Sequence, residues 1–339
     1  MKTLDDIWTE LERDNSQPDG AVYTRYLGQV CDLFVAVDKP ANVPGIFLEV
    51  PSPAVTPGIR FPVTSGFGVV TVPLKQGPGG RVRIRLQLAD NRFRDLFSVM
   101  CGDIVRHLDA SKDARGCVAA FAARLQEWQR FFGKTGLEGL GEEAQRGLFT
   151  ELLFLGGYAI PSLGVRKAVE AWTGPLGHNQ DFQSGALAVE VKSSISNPSV
   201  QIRIANARQL DSTGLENLGL FVALIDARTG GRPDGQSLVA AVGVIRDKLA
   251  HDELAASLFE DRLLKVGYVD AHASRYEKTT YSVRAVHHFR ITDDFPRIVE
   301  QGLPPGVGDV SYSIDLSACL PFSVSAQEMT DLLRDASGQ

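Results

Sequence analysis

Cysteine is scarce in this chain of 339 residues. The four cysteines lie far apart in sequence, at Cys31, Cys101, Cys117 and Cys319. They show neither the paired spacing of a zinc site nor the framework of a disulfide-stapled domain, which argues against both. Scattered, unpaired cysteines are typical of a reducing compartment, so we expect a cytoplasmic protein.

Long apolar runs are missing as well. No stretch approaches the length needed to span a membrane, and we expect no membrane partner. The N-terminal segment carries Asp5 and Asp6 where an export signal needs basic residues followed by an apolar run. The chain also lacks a glycine loop that could cradle a phosphate and a nucleophile elbow, so an ATPase and a serine hydrolase find no support.

The composition does provide for sizeable cores, because 44% of the residues are hydrophobic and 22% are charged. Strand-like and helix-like patterns both occur, which predicts an α/β (α+β) protein. We expect four stretches: a β-rich N-terminal lobe at 1–90, connecting helices at 91–138, a core at 139–227, and a C-terminal α/β extension packed on that core at 228–339.

Short apolar runs between Pro and Gly turns predict the strands of the lobe, at 33–37, 46–50, 61–64, 69–74 and 81–88. Apolar residues at helical spacing predict the helices that follow, at about 91–108 and 114–132. In the C-terminal extension we expect an exposed loop at 229–235, helices near 237–250 and 252–264, and a strand near 281–291, followed by a tail that contains the Pro304-Pro-Gly turn and the segment 311–316.

The net charge of −6 conceals an asymmetry, because residues 60–134 contain 13 Lys and Arg against 6 Asp and Glu. Within this part, Arg81, Arg83 and Arg85 alternate with apolar residues, which puts three guanidinium groups on one face of a strand. Such a face could follow a DNA backbone, since Lys and Arg supply much of the affinity for phosphates. An ordinary solvent-facing sheet surface is the alternative.

The most informative stretch is 181–192, which reads Asp-Phe-Gln-Ser-Gly-Ala-Leu-Ala-Val-Glu-Val-Lys. Its second half alternates like a β-strand, so Glu190 and Lys192 point to the same face, roughly 7 Å apart along the strand. Two carboxylates and an ammonium can therefore meet in one hairpin if Asp181 reaches that face.

A two-residue turn would bring Asp181 there. If Ser184 and Gly185 form the turn, Asp181 pairs with Ala188. Asp181 is then the diagonal cross-strand neighbour of Glu190 on the same face.

This grouping suits Mg²⁺, with Mn²⁺ as the alternative ion. Mg²⁺ takes carboxylate oxygens, keeps several waters and uses substrate phosphate oxygens as further ligands. Asp181 and Glu190 would be the protein ligands. Lys192 could stabilise the negative charge that develops on the phosphate or orient the attacking water. The pattern thus points to metal-dependent phosphodiester cleavage.

The acidic-x-Lys triplet alone carries no weight. With ten lysines and acidic residues making up about an eighth of the chain, about one such triplet is expected by chance, and one is present. A solvated strand face with a Glu and a Lys is therefore the alternative. Three features favour the site: the strand is otherwise apolar, an Asp precedes it across a turn, and a helix with a carboxylate lies upstream.

That helix is predicted at about 139–157, and its segment 148–155 is apolar nearly all the way round. Glu151 shares a face with Ala144, Leu148 and Leu155, so its carboxylate would be carried into the interior. A buried, unpaired carboxylate is costly, so a cation or a hydrogen-bond partner is expected beside it. A metal site would supply the cation; an internal hydrogen bond or an Arg is the alternative.

After this helix the patterns predict strands at Asp181, at Glu190 and at 200–204, then a short helix at 206–211 and an apolar strand at 218–225. This order resembles the core of the PD-(D/E)XK nuclease superfamily over about residues 139–227. The residues that match its motif are Glu151, Asp181, Glu190 and Lys192. More narrowly, the chain resembles an uncharacterised bacterial group of PD-(D/E)XK motif proteins. That likeness is carried by Glu151-Leu-Leu, Trp172-Thr-Gly-Pro, Asp181-Phe, Glu190-Val-Lys, Gln209-Leu, Phe295-Pro-Arg and Tyr312-Ser-Ile-Asp.

The resemblance implies a restriction-endonuclease-like αβββαβ core with a mixed central sheet and a divalent-metal-dependent DNA endonuclease activity. It implies Asp181 and Glu190 as metal ligands and Lys192 as the catalytic lysine. Glu151 would be an accessory carboxylate and a further metal ligand, and Gln209 would orient the substrate or support the site. Gln180 stands where the name of the motif has Pro, a position at which the superfamily is lax.

Three further residues are candidates. His178 could contact substrate or metal, or be an ordinary loop histidine in solvent. Arg203 and Arg208 could meet the DNA backbone, with surface solvation as the alternative.

The resemblance to this bacterial group of proteins also implies a role in restriction or phage defence, with DNA and other defence proteins as partners. The alternative is an inactive nuclease-fold subunit that binds nucleic acid or partner proteins. A homodimer would suit double-strand cleavage, and the sequence leaves it open.

Overall fold

The computed structural model of the chain describes residues 2–27, 31–59, 61–62, 64, 66–74, 80–109, 111–135, 138–195, 200–230 and 235–337. These residues form two compact units, one of Met1–Glu138 with Val269–Ala271 and one of Gly139–Tyr268 with His272–Gln339. Among the described helices, none combines the length and the apolar character that crossing a bilayer requires.

The described residues of unit 1 form one antiparallel sheet and three α-helices. The strands are β1 (Ala21–Leu27), β2 (Asp32–Asp38), β3 (Val43–Pro51), β4 (Phe67–Leu74) and β5 (Arg81–Leu88), in the order β1-β2-β3-β5-β4. The helices are α1 (Leu4–Arg13), α2 (Arg94–Asp109) and α3 (Ala114–Thr135), with 3-10 turns at Ser52–Ala54 and Asn91–Phe93. The predicted alternation of β5 is confirmed. Ile84, Leu86 and Leu88 are buried, whereas Arg81, Arg83 and Arg85 are partly exposed.

Two elements of unit 1 were not predicted, and one predicted strand is wrong. Residues 61, 62 and 64 are not in a strand, and residue 63 lies outside the described part of the chain. The pattern missed β1 and α1, although α1 has a local signal. Thr3 and Asp6 form a capping box at its start, in which each side chain accepts from the other's backbone N–H.

A buried ion pair joins α2 to α3. Asp103 is 4% exposed and accepts hydrogen bonds from Arg124 Nε at 2.5 Å, Arg124 Nη2 at 2.9 Å and Trp128 Nε1 at 2.7 Å. These donors lie in the interior of the unit, and the Asp103 carboxylate compensates the buried guanidinium of Arg124.

Replacing Asp103 with alanine is expected to destabilise unit 1 by about 3–5 kcal/mol, because it leaves the Arg124 charge buried without that carboxylate. Thermal and urea unfolding of the full chain measure the effect. The matched control is the exposed Asp109 at the end of the same helix, whose replacement with alanine should change stability little. Equal effects of the two substitutions would contradict the prediction.

Unit 2 is built on a six-stranded mixed sheet. Its strands are β6 (Phe182–Ser184), β7 (Leu187–Ser194), β9 (Asn217–Thr229), β10 (Gln236–Ser237), β11 (Thr279–Arg290) and β13 (Ser323–Val324). A separate two-stranded sheet pairs β8 (Gln201–Ile204) with β12 (Tyr312–Asp315). In the central sheet β7 and β9 are parallel, whereas β6 pairs antiparallel with β7, and β11 with β9.

The helices of unit 2 are α4 (Glu142–Phe154), α5 (Ile160–Leu163), α6 (Val165–Ala171), α7 (Leu238–Leu249), α8 (Glu253–Val266), α9 (Ala273–Tyr276), α10 (Leu316–Cys319) and α11 (Ala326–Ser337). A π-helical turn at Leu155–Ala159 continues α4 into α5. Short 3-10 turns occur at Gly174–Leu176, Ala207–Leu210, Asp270–His272, Glu300–Gly302 and Leu320–Phe322, of which Asp270–His272 begins within unit 1.

Two apolar clusters cover the two faces of the central sheet. Leu187, Val189 and Val191 pack into a cluster with α4, α7 and α8, whereas Ala188 packs into a second one with β8 and β12. This division confirms the predicted alternation of β7.

The mixed sheet agrees with the predicted α/β (α+β) class, but the strand that was predicted third does not join it. β8 instead pairs with β12, which lies more than a hundred residues further along the chain. No local sequence pattern predicts this pairing. The predicted helix at 206–211 is a 3-10 turn, and of the predicted loop at 229–235, residues 231–234 lie outside the described part of the chain.

Candidate functional site

The hairpin of β6 and β7 positions the predicted carboxylates. Its turn consists of Gly185 and Ala186, so the predicted turn at Ser184 and Gly185 is wrong by one residue. Gly185 has a φ of 55°, and a type II′ turn needs such a residue at its first central position.

The predicted register changes accordingly, but the predicted face does not. Phe182 pairs with Val189 rather than with Leu187, a shift of two positions along β7. Because side chains alternate with a period of two, a shift of two leaves every side chain on the face predicted for it. Asp181 is therefore carried toward Glu190 rather than toward Ala188.

Glu190 lies at the centre of the site and is completely buried, with 0% of its surface exposed. Lys192 Nζ lies 2.6 Å from Glu190 Oε1, and the lysine side chain is only 17% exposed. The alternative of a solvated strand face is thus wrong. Neither oxygen of Glu190 accepts a well-aligned hydrogen bond from a described residue. Among these residues, the close partner of the carboxylate is therefore the Lys192 ammonium, through the ion pair alone.

Asp181 is held by the backbone around it. Its Oδ2 accepts a hydrogen bond from Val191 N at 2.8 Å, which ties the carboxylate to the strand next to Glu190. Its main-chain oxygen accepts from Thr173 N at 2.8 Å and Gly174 N at 2.9 Å. These bonds fix both ends of the residue at the start of β6.

Glu151 reaches the same place from α4. Its Oε2 accepts a hydrogen bond from Trp172 Nε1 at 2.6 Å, and Trp172 is fully buried. A Cβ placed on Gly174 would lie 2.9 Å from Asp181 Oδ1 and 3.5 Å from Glu151 Oε2, so the two carboxylates flank one glycine. The expected hydrogen-bond partner of Glu151 therefore exists, and it orients the carboxylate toward Asp181.

The electrostatics of the cluster favour a cation. Burial raises the pKa of Glu190 well above its usual value, and Asp181 raises it further, while Lys192 lowers it. Burial likewise raises the pKa of Asp181. Lys192 and the hydrogen bond from Val191 N–H lower this pKa, but the effect of burial is larger. Burial alone would lower the pKa of Lys192, but Glu190 and Asp181 more than offset this, so the pKa is raised and the group stays an ammonium.

Three carboxyls and one ammonium leave an excess of two negative charges when all are ionised, which a divalent cation would neutralise. Carboxylate oxygens are also the donors that Mg²⁺ prefers. Among the described residues no three His, Cys, Asp or Glu side chains form a ready-made ligand set. Mg²⁺ needs only one or two carboxylates, so Asp181 and Glu190 fit it, with Glu151 beside them.

Gln209 supports the lysine. Its Oε1 accepts hydrogen bonds from Lys192 Nζ at 3.1 Å and from Ala205 N at 2.8 Å. Sequence reasoning missed Gln180, which is buried and donates from Nε2 to the main-chain oxygens of Arg208 at 2.9 Å and Gln209 at 3.3 Å. The amide thus ties the residue before Asp181 to the turn that holds Lys192. Its position in place of the motif proline was the available signal.

The other candidates lie away from the carboxylates. His178 is exposed in the loop that precedes Asp181, and Arg203 is exposed on β8. Arg208 is exposed and pairs with Glu300 at 2.6 Å, and this neighbour raises the pKa of the guanidinium. The structure does not bring these three residues to the carboxylate cluster, so their predicted contacts with DNA or metal stay predictions.

The arginines of β5 carry compensated charges. Arg81 pairs with Asp32 at 2.7 Å, Arg83 with Glu49 at 2.5 Å, and Arg85 with Asp38. Arg83 also stacks over the Phe47 ring, 4.2 Å from its centroid. Arg83 pairs with a carboxylate of the adjacent β3, and Arg81 and Arg85 pair with carboxylates of β2, the next strand beyond it, so the row is an ion-paired sheet surface.

Comparison with known proteins adds one finding. Neither a search of curated proteins nor a search of solved structures returned a match. The model of the DUF4420 family, described as "Putative PD-(D/E)XK family member", matches residues 4–317, nearly the whole chain and the carboxylate cluster with it. The chain therefore belongs to this PD-(D/E)XK family.

Proposed function

We propose that the protein is a divalent-metal-dependent endonuclease that hydrolyses phosphodiester bonds in DNA, as a component of bacterial restriction or phage defence. The observation that carries the proposal is Glu190, a fully buried carboxylate beside a second carboxylate and a lysine. Burial of a charge costs several kcal/mol (order of magnitude), and even a buried ion pair such as Glu190–Lys192 is weak support for stability compared with apolar residues. A catalytic role for Glu190 would account for a carboxylate buried at this cost.

Asp181 and Glu190 would hold the ion, with Glu151 adjacent. When bound, Mg²⁺ or Mn²⁺ supplies Lewis acidity toward the phosphate and acidifies a water. Lys192 donates a hydrogen bond toward the negative charge that develops on the phosphate, and its raised pKa keeps it protonated for this role. Gln209 holds the lysine in place, and Trp172 holds Glu151. The surrounding apolar clusters limit water around the carboxylates and thereby strengthen these interactions.

Incubation with double- and single-stranded DNA tests the proposal. We expect cleavage with Mg²⁺ or Mn²⁺ and none with a chelator. Replacing Asp181 with alanine should lower the rate by about 10²- to 10³-fold. Asp294, an exposed aspartate of the same unit, is the matched control, and its replacement with alanine should leave the rate unchanged. A wild-type protein that binds DNA but cuts nothing with either metal would instead be a binding subunit that has kept the fold.

Gly174 gives a second test that leaves every charged group in place. An alanine there would put a Cβ 2.9 Å from Asp181 Oδ1 and 3.3 Å from Asp181 Cα, so the carboxylate and its backbone must both move. We expect the cleavage rate to fall by about 10- to 100-fold, since a displacement near 1 Å can cost that much. Gly147→Ala in α4 is the control, because a Cβ there meets nothing within 4 Å. Equal rates for the two variants would contradict the prediction.

A further inference from the structure

A polar cleft lies beside the carboxylate cluster. It has a volume of about 470 Å³, within the usual range for small-ligand sites. Its polar lining consists chiefly of Asn179, Gln183, Arg208, Asp211, Thr213 and Glu300. None of these residues belongs to the carboxylate cluster.

The cleft opens on the same face of the hairpin as the catalytic residues. Gln183 pairs with Ala188, which faces the same side of β7 as Glu190 two positions further on. Residues two apart on a strand are separated by roughly 7 Å. A group held by Gln183 is therefore about one nucleotide away from a phosphate held at Asp181.

The cleft is also fastened to the catalytic residues. Gln180 lines it and donates its side-chain amide to the main-chain oxygens of Arg208 and Gln209. Gln209 in turn holds Lys192. The wall of the cleft and the support of the lysine are thus parts of one hydrogen-bonded turn.

Two side-chain amides in the cleft are uncommitted. Within the part of the chain that the structure describes, Asn179 and Gln183 make no side-chain hydrogen bond or ring contact, although other polar groups around them do. Thr213 bonds to Asp211 at 2.7 Å, and Arg208 to Glu300 at 2.6 Å. The free amides each offer donors and an acceptor to a ligand.

The charge of the lining argues against a phosphate as that ligand. One guanidinium stands against the carboxylates of Asp211 and Glu300, and Glu300 already pairs with it. A neutral, planar group with both donors and acceptors on its edge fits better. Nucleobases have such edges, and Asn and Gln amides pair with them in two-bond geometry.

We propose that this cleft binds one nucleobase of DNA next to the scissile phosphate, and that Asn179 and Gln183 select that base. The proposal rests on the proposed function for the position of the phosphate, but base selection is a binding property that can be measured without cleavage. Asn179 and Gln183 are then specificity-determining residues.

The experiment is selection of bound sequences from randomised double- and single-stranded DNA, with Ca²⁺ in place of Mg²⁺, followed by sequencing. Wild-type protein should enrich one base at one position. Asn179→Ala and Gln183→Ala should each reduce that enrichment by about tenfold, with little change in total DNA affinity. Gln201→Ala, an exposed glutamine of the same unit, is the control and should keep the preference. The unfolding temperatures of the variants and the wild type should match, since neither amide makes a side-chain hydrogen bond to another described residue.

The proposal is overturned if the wild type shows no base preference or if both variants keep it. Cleavage of the same libraries with Mg²⁺ separates this outcome from failure of the proposed function. If DNA is cleaved and the variants keep the base preference, only the proposal that the cleft selects a base is contradicted. If the variants lose the base preference but no protein cleaves DNA, the proposed nuclease activity is contradicted and the base-binding cleft is supported. A wild-type protein that binds no DNA contradicts both proposals.

Discussion

Replacing Lys192 with methionine is expected to lower the rate of DNA cleavage by about 10²- to 10³-fold and, at the same time, to strengthen divalent-metal binding. The ammonium lies 2.6 Å from Glu190 Oε1, where it competes with any metal ion for the same carboxylates. Unit charges about 4 Å apart interact by about 4 kcal/mol at an effective dielectric constant of about 20, so tenfold tighter binding is a modest expectation. Methionine keeps the apolar stem that fills the space.

Calorimetric titration with Mg²⁺ in the absence of DNA measures the metal affinity, and single-turnover cleavage measures the rate. The titration is done at alkaline pH, where protons compete least for Glu190. Lys278→Met, a substitution of an exposed lysine in the same unit, should alter neither quantity. A variant of Lys192 that loses metal binding would show that the lysine orders the site rather than acts on the phosphate.

Replacing Glu190 with glutamine is expected to abolish the stabilisation of the protein by Mg²⁺ and to reduce cleavage by about 10³-fold. Wild-type protein should gain about 2.7 kcal/mol of unfolding free energy when the ion is present at a hundred times its dissociation constant. The variant lacks the buried ligand, so it should gain almost nothing. Thermal unfolding with and without Mg²⁺ measures the difference.

The same substitution changes how stability depends on pH when no metal is bound. The pKa of Glu190 is ordinary, near 4.5, in the unfolded chain and raised well above that in the folded one. Between these two values the folded state holds a proton that the unfolded state has released. The unfolding free energy of the wild type therefore falls as the pH rises, by up to about 1.4 kcal/mol per unit.

Glutamine has no such proton, so this part of the fall should be missing in Glu190→Gln and present in the control Glu216→Gln, which alters an exposed carboxylate. Urea unfolding across a pH series without metal gives both slopes. If the variant and the wild type lose stability in parallel, the protonation of Glu190 does not account for the pH dependence.

The hairpin shows what the sequence could predict. Alternation placed Glu190 and Lys192 on one face, and the need of Glu151 for a partner inside the fold was met by Trp172. The turn was misplaced by one residue, because Ser184-Gly185 and Gly185-Ala186 both read as turns and only the backbone shows which residue takes the positive φ. The prediction of which side chains share a face was still correct, because the register shifted by two residues and side chains alternate with a period of two.

Other features depended on contacts that no local pattern contains. The pairing of β8 with β12 joins segments that are distant in sequence. The arginines of β5 were predicted as a basic row, but Asp32, Asp38 and Glu49 come from other strands and their side chains meet the guanidinium groups only after the sheet has formed. Gln180 stood at the position of the motif proline, which was a local signal, but the main-chain oxygens of Arg208 and Gln209 that it supports are brought to it only by folding.

The two-residue turn at Gly185 and Ala186 also limits how the gene for this protein can change. While the turn keeps two residues, inserting or deleting a single codon there would slip one arm of the hairpin by one position and move Asp181 to the opposite face from Glu190. A change of two codons would keep the carboxylates together. A single added residue keeps the carboxylates together only where the turn itself lengthens to three residues, so length changes at this turn are constrained by the position of Asp181 as well as by the loop.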